Sequence, residues 1–194
     1  HLTNQQDQTA QTFIILSNIQ RDVARAGFTP LAANPNAAIP APIEIKPCAI
    51  NACKGDELTI RYWQYSTGAV HDCVGHEVAK TDNWALVENT YRVRTSSELA
   101  CSGNGGTDND TFALLGNVHS LSWRLDADSA SGRLLHICLT TKMDQADQVA
   151  GGMQPKSCDN NMKLSIGKAY RTTELDVLVR PQAISLGAGM EVPQ

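Results

Sequence analysis

Hydrophobic and polar residues repeat along this chain with two different periods, first that of a helix and then that of β-strands. Residues 13–27 place apolar side chains every three or four positions, which predicts an amphipathic helix. Its core-facing stripe on a helical wheel is Phe13, Leu16, Ile19, Gln20, Val23, Ala24 and Gly27. Gly27, followed by Phe28 and Pro30, predicts the end of the helix.

The opposite face of this predicted helix is polar with one exception. Asn18, Arg21, Asp22 and Arg25 share that face with the apolar Ile14. We therefore expect Phe13, Leu16, Ile19, Val23 and Gly27 to pack on the rest of the fold, and the polar face to stay outside it.

A proline-rich segment separates the helix from the strand-like part of the chain. Residues 30–47 hold five of the eight prolines, which predicts a long irregular connection instead of a helix or a central strand. After it, apolar residues alternate with polar ones or form short apolar runs, which is typical of strands. These strand candidates are residues 58–65, 88–94, 119–128, 133–141 and 174–181.

The order of these elements predicts an α+β fold, in which one N-terminal helix packs on an antiparallel sheet joined mostly by hairpins. We expect residues 1–29 to be helical, 30–55 to form the proline-rich connection and 56–182 to form the sheet domain. The Gly- and Ala-rich residues 183–194 are expected to be a flexible tail.

Composition narrows the possible partners and the compartment. The chain has 194 residues, which suits one domain, and its formal net charge of −4 offers no positive surface to a nucleic-acid backbone. No apolar run in the sequence reaches the roughly 20 residues that span a bilayer, and from the residues ahead of the helix we expect no signal peptide. We expect the opening His1-Leu2 to remain from a removed tag, ahead of a shortened natural helix.

The six cysteines are easier to explain as disulfides than as free thiols. They show no CxxC spacing, and disulfides persist in oxidising compartments outside the cytoplasm. Six cysteines allow many pairings, and the sequence alone does not choose among them. Neighbours along the chain suggest the pairs Cys48–Cys53, Cys73–Cys101 and Cys138–Cys158.

One short segment is a weak candidate for a metal site. His71, Cys73 and His76 have ligand-type side chains, and Cys101 is the candidate for the fourth position that a structural zinc site needs. The alternative, which we favour, is a disulfide at Cys73 with both histidines in a loop. No cofactor is expected.

The remaining candidates for chemistry favour structural interpretations. Asp126 and Asp128 resemble part of a calcium loop but lack its glycine and closing glutamate, so acidic turns are expected. The sequence contains no GxSxG, HExxH, Walker A or GxGxxG motif. His119 and His136 fall in strand candidates, where a structural role is the default. We therefore do not predict an enzyme.

The helical segment also resembles a known family. "IQRDVARAGF", residues 19–28, is similar to the segment after the membrane half of the N-terminal helix in PilW-type minor pilins of type IV pili. In that family the helix commonly ends in an Arg-Asp pair followed by Ala-Gly-aromatic. The counterparts here are Arg21, Asp22, Ala26, Gly27 and Phe28.

Other stretches follow the same family in the same order. "DELTIRY" at 56–62 resembles its first sheet strand, and "DCVG" at 72–75 with "ELAC" at 98–101 resembles its recurrent cysteine pair. "YRTTELDVLVRPQ" at 170–182 is similar to its closing strand. The J-type pseudopilins of type II secretion share the helix-then-sheet plan.

The resemblance implies a pilin-like fold and a non-enzymatic role. A minor pilin assembles with other minor pilins and the major pilin into a complex that primes pilus assembly at or near the tip. It is anchored in the inner membrane by an apolar half-helix, which this sequence lacks, and its folded domain lies in the periplasm. The polar face of the helix, with Ile14, Asn18, Arg21 and Arg25, would then meet neighbouring subunits.

Two alternatives remain beside this interpretation. A J-type pseudopilin would share the fold but would serve the export of folded proteins. An unrelated secreted binding domain or enzyme with a disulfide-clamped sheet would share only the cysteines and the strand pattern.

Overall fold

The structure, a computed structural model, describes residues 2–28, 41–48, 53–106, 111–126, 133–142, 158 and 170–179. Helix α1 spans Leu2–Arg25. Gly27 follows it with a positive φ of 77°, a conformation that glycine adopts without strain, as the predicted helix stop requires. The predicted tail, residues 183–194, and most of the proline-rich connection lie outside the described residues.

The face of the helix that packs on the sheets overlaps the predicted face but is rotated from it. Leu16, Ile19 and Val23 are buried as expected, but Phe13 is 61% exposed and Asp22 is only 6% exposed. Relative to the prediction, the buried stripe is rotated by roughly 70° about the helix axis, at 100° per residue. The prediction for Phe13 is therefore wrong. The rotated face consists of Thr12, Ile15, Leu16, Ile19, Asp22, Val23 and Ala26.

Strands β1 to β6 form one antiparallel sheet with the order β1-β2-β4-β5-β6, in which β3 pairs with β4. Within this sheet, β2 makes its longest pairing with β4. Because Leu58, Ile60 and Tyr62 are all buried, the predicted alternation along β2 is confirmed. The strands are β1 Ile43–Pro47, β2 Cys53–Tyr65, β3 Lys80–Thr81, β4 Trp84–Arg94, β5 Leu99–Gly103 and β6 Thr111–Leu115.

The last three strands form a second antiparallel sheet with β8 in its centre. They are β7 Val118–Leu125, β8 Arg133–Lys142 and β9 Tyr170–Val179. Helix α1 contacts β2, β6 and β9, and β7 contacts β2 and β4. Both sheets therefore contribute to one hydrophobic core with the buried helix face.

The observed architecture confirms the α+β class, with one helix packed on antiparallel sheets, although strands dominate. Each of the five strand candidates overlaps a described strand: β2, β4, β7, β8 and β9. The connection predicted for residues 30–55 contains an edge strand, β1, that pairs with β2. A two-residue turn joins β3 to β4, where Asp82 and Asn83 both have the positive φ of a type I′ hairpin.

All three neighbour pairings of the cysteines are confirmed. Disulfides join Cys48 to Cys53, Cys73 to Cys101 and Cys138 to Cys158. Cys73 lies in the loop after β2 and Cys101 lies in β5, so the second bridge fixes this loop against the large sheet. In the described part of the chain no helix is both long and apolar enough to cross a membrane.

Candidate functional site

The helix is joined to the large sheet by a buried carboxylate. Asp22 accepts hydrogen bonds from the Tyr62 hydroxyl (3.3 Å), the Asn89 side-chain amide (2.7 Å) and the Tyr91 hydroxyl (2.7 Å). A buried polar group is tolerated only when it is hydrogen-bonded, and these three donors meet that requirement. Asp22, predicted to lie on the outer face of the helix, is therefore part of the helix–sheet contact.

Both tyrosines are held in their protonated, donating form. Burial raises the pKa of the Tyr62 hydroxyl, and the charge of Asp22 raises it further. Burial, with a further contribution from Asp22, raises the pKa of Tyr91 far above its usual value. Neither hydroxyl ionises at physiological pH, so Asp22 keeps these two donors.

Asn89 extends this contact from the helix to the disulfide loop. Its Nδ2 donates to Asp22, and its Oδ1 accepts a hydrogen bond from the backbone N–H of Cys73 (2.9 Å). Asn89 is buried at an inward position of β4, where the alternation otherwise places Val87 and Tyr91. One side chain therefore links α1, β4 and the loop that carries Cys73.

The same loop is built around a second buried carboxylate, that of Asp72. Its Oδ1 accepts hydrogen bonds from the backbone N–H groups of Val74 (2.9 Å), Gly75 (3.0 Å) and His76 (3.0 Å). Its Oδ2 accepts one from Gly105 (2.8 Å). The carboxylate thus orders its own loop and attaches it to the segment after β5.

The glycines of "SGNGG" are required by this packing. A Cβ atom on Gly103 would overlap the Asp72 side chain, and one on Gly106 would overlap the His76 ring. Residues 104–106 form bends at the surface, with Asn104 and Gly106 exposed, and they pack closely against the Asp72 loop.

Between the helix, the sheet and the loop lies a cleft of about 400 Å³. Asp22, Tyr62 and Tyr91 lie at its floor, and Arg21 and Arg25 line it from the helix. The Arg25 guanidinium carbon lies 5.7 Å from the centre of the Tyr62 ring, which is a cation–π contact. The other lining residues are Ile15, Asn18, Gln64, Ala69, His71, Asp72, Cys73, Asn89 and Leu114.

The structure engages several of the candidate metal ligands in other bonds. Cys73 and Cys101 are bonded to each other, so neither offers the thiolate that a structural zinc site with His71 and His76 would use. Cys48, Cys53 and Glu57 also lie within reach of a common ion, but both sulfurs belong to a disulfide. Of the calcium-like pair, Asp128 lies outside the described residues and Asp126 binds His136.

His136, on the central strand β8 of the small sheet, lies between two carboxylates. Its Nε2 is 2.9 Å from Asp126 Oδ2 and its Nδ1 is 2.6 Å from Asp176 Oδ1. A neutral imidazole has only one N–H, so protonation is needed to donate to both acids. The hydrogen bonds to Asp126 and then Asp176 therefore raise the pKa of His136, and the bond to His136 lowers the pKa of Asp126.

This cluster predicts a pH-dependent contribution to stability. Because the folded-state pKa of His136 is raised, its contribution is complete below the ordinary histidine value of about 6.5 and is lost as the pH rises through the folded-state pKa. In urea unfolding, we expect wild type to exceed the His136→Gln variant in stability at pH 5.5, and this difference to shrink by pH 9.

His119 provides a control of opposite sign. Its ring packs on Tyr170, with 4.8 Å between ring centres, and burial followed by the charge of Lys54 lowers its pKa. Wild type should therefore lose stability relative to His119→Gln as the pH falls below about 6.5. If the difference between wild type and His136→Gln does not change with pH, the carboxylates do not act on His136 as described.

Sequence reasoning missed most of the groups that form the cleft. It assigned Tyr62 and Tyr91 to the strand pattern, and it did not single out Asn89 or Asp72. The available signal was the polar Asn89 at an inward position of an otherwise apolar alternation, since such a residue needs a buried partner. The predicted outer residues Asn18, Arg21 and Arg25 are exposed but line the cleft, while Ile14 is exposed outside it.

Comparison with protein-family models, with curated proteins and with solved structures found no match for this chain.

Proposed function

We propose that this chain is the folded domain of a PilW-type minor pilin, a non-enzymatic subunit that joins other minor pilins to prime type IV pilus assembly. The observation that carries the proposal is that α1 has both a buried face and an exposed apolar surface. Its C-terminal half packs on the sheets through Ile19 and Val23, while the consecutive side chains Phe13 and Ile14 are 61% and 60% exposed. A subunit whose helix serves both its own core and its neighbours needs both surfaces.

The end of the helix supports the same proposal. The Arg21-Asp22 pair and Ala26-Gly27-Phe28 are the segment that resembles the PilW family. Asp22 anchors the helix to the large sheet, and Gly27 donates its N–H to the Arg61 carbonyl oxygen (3.1 Å). The residues that resemble the family therefore hold the C-terminal end of the helix on the large sheet.

The disulfides support the proposed location in the periplasm and then in the extracellular pilus. Disulfides persist in oxidising compartments, and all six cysteines are paired. The proposal further expects the full-length protein to carry an apolar half-helix with a glutamate near its beginning, anchored in the inner membrane. Its partners are then other minor pilins and the major pilin.

Deleting the gene tests the proposal directly. A minor pilin deletion should abolish or strongly reduce surface pili, counted by electron microscopy, and the full-length gene should restore them. Loss of protein secretion with normal pili would instead identify a J-type pseudopilin. Unchanged piliation and unchanged secretion would reject both assignments.

The exposed helix face predicts a specific loss of assembly. Ile14→Asp places a charge where we propose that a neighbouring helix packs, so co-purification with the partner minor pilins should fall at least about tenfold. The melting temperature of the domain should stay within about 2 °C of wild type, since Ile14 is exposed.

A matched variant separates this effect from a general effect of surface charge. Leu178 on β9 is also an exposed aliphatic side chain, 51% accessible and similar in size to Ile14. Leu178→Asp should retain partner binding. A marked fall in the melting temperature of Ile14→Asp would show that Ile14 belongs to the core. Full partner binding by that variant would remove Ile14 from the proposed interface.

A further inference from the structure

Two arginines at the cleft lack an ionic partner within the described part of the chain. Arg21 donates to the Asn18 side-chain oxygen (3.1 Å), and Arg25 makes its cation–π contact, but no described carboxylate lies within ion-pair distance of either. Elsewhere in the domain, arginines of the large sheet are paired with glutamates. These pairs are Arg61 with Glu44 and Glu88, Arg92 with Glu57, and Arg94 with Glu98.

The acidic groups of the cleft are already satisfied by the fold. Asp22 accepts three hydrogen bonds from side chains, and Asp72 accepts four from backbone N–H groups. Both carboxylates are buried, whereas Arg21 and Arg25 are exposed. The exposed charged groups that the cleft presents to an incoming group are therefore the two guanidinium groups, in a domain whose formal net charge is −4.

Arg21 and Arg25 extend from the same face of the helix. Arg21 and Arg25 are four residues apart in a helix, so their Cβ atoms lie on the same face about 6 Å apart. Stacking on Tyr62 holds Arg25, and the bond to Asn18 holds Arg21, which reduces the entropy lost on binding. An arginine binds a carboxylate through two parallel N–H donors, so this pair favours carboxylate over a neutral group.

We propose that this cleft receives an acidic side chain, aspartate or glutamate, from a neighbouring subunit, and that Arg21 and Arg25 bind its carboxylate. Charge complementarity selects the group, and a volume of about 400 Å³ admits a few side chains but not a folded element. The inference rests on the proposed function only in taking the acidic residue to be supplied by another subunit. Recognition of the carboxylate by the cleft depends only on Arg21 and Arg25 and their neighbours in this domain.

Binding of a short acidic peptide tests the inference on the isolated domain. The probe is hexaglutamate, with hexaglutamine as the neutral reference, titrated into ¹⁵N-labelled domain and followed by NMR. We expect saturable shifts of the Arg21 and Arg25 side-chain Nε–H signals and of backbone signals around the cleft with hexaglutamate. Hexaglutamine should bind at least about tenfold more weakly, and added salt should weaken the hexaglutamate shifts.

A charge-matched pair of variants completes the test. Arg21→Gln with Arg25→Gln should weaken hexaglutamate binding at least about tenfold, whereas Arg124→Gln with Lys142→Gln, which removes the same charge from exposed positions of the small sheet, should not. Shifts outside the cleft, equal binding of both peptides or unchanged binding by the first variant would overturn the inference. None of these results changes the outcome of the gene deletion, so a failure here is distinct from a failure of the proposed function.

Discussion

Replacing Asp22 with alanine should lower the free energy of unfolding by about 3–4 kcal/mol and the melting temperature by about 10 °C. The change removes the acceptor for three hydrogen bonds and leaves the donors of Tyr62, Asn89 and Tyr91 facing a buried space. Each unsatisfied buried donor costs about 1–3 kcal/mol, reduced where a hydroxyl can rotate to another acceptor. Urea unfolding followed by circular dichroism measures the loss.

Asp7 supplies the control for this prediction, because it lies on the same helix and is exposed. Asp7→Ala should change stability by no more than about 0.5 kcal/mol. If Asp22→Ala is as stable as Asp7→Ala, the buried carboxylate does not hold the helix on the sheet. Asp22→Asn is expected between the two, since it retains one acceptor oxygen but adds an N–H group among donors.

Removing the Cys73–Cys101 bridge should cost about 3–4 kcal/mol, the second large effect. These cysteines are 28 residues apart in sequence, so the bridge restricts the unfolded chain strongly, and in the native state it fixes the Asp72 loop against β5. The measurement is the free energy of unfolding of Cys73→Ala with Cys101→Ala under non-reducing conditions.

The shorter bridge gives a built-in comparison. Cys48 and Cys53 are only 5 residues apart, and their joint replacement by alanine should cost about 2 kcal/mol on the same chain-entropy argument. Equal losses for both pairs would show that loop length does not govern the effect. A larger loss for Cys48–Cys53 would contradict the stabilising role given to the Cys73 loop.

Local sequence patterns predicted the elements of this fold better than their contacts. The alternation in β2 and β4 identifies both the strands and their buried faces, because a half-buried strand repeats every two residues wherever it pairs. The predicted pairing of cysteines that are neighbours along the chain was also confirmed. The short strands β1, β5 and β6 were missed, since five residues show too little alternation to stand out; β1 also ends in proline and β5 in glycine.

The phase of the helix shows why the site was harder to predict. A wheel centred on apolar residues counts Phe13 as core and Asp22 as surface, because it ranks side chains by hydrophobicity alone. In the folded protein Asp22 is buried by donors contributed from β2 and β4, which lie about 40 to 70 residues further along the chain. No pattern within the helix reveals those donors, although it does place Arg21 and Arg25 on the exposed face.

The two-ended contact of Asn89 limits what can replace it. Its position needs a donor toward Asp22 and an acceptor toward the Cys73 N–H, both at the length of one short side chain. Aspartate, nearly identical in shape, would face Asp22 with a second carboxylate, and leucine, which branches at the same carbon, would satisfy neither partner. Tolerance to substitution at the centre of this core is therefore set by hydrogen-bond polarity and not by size.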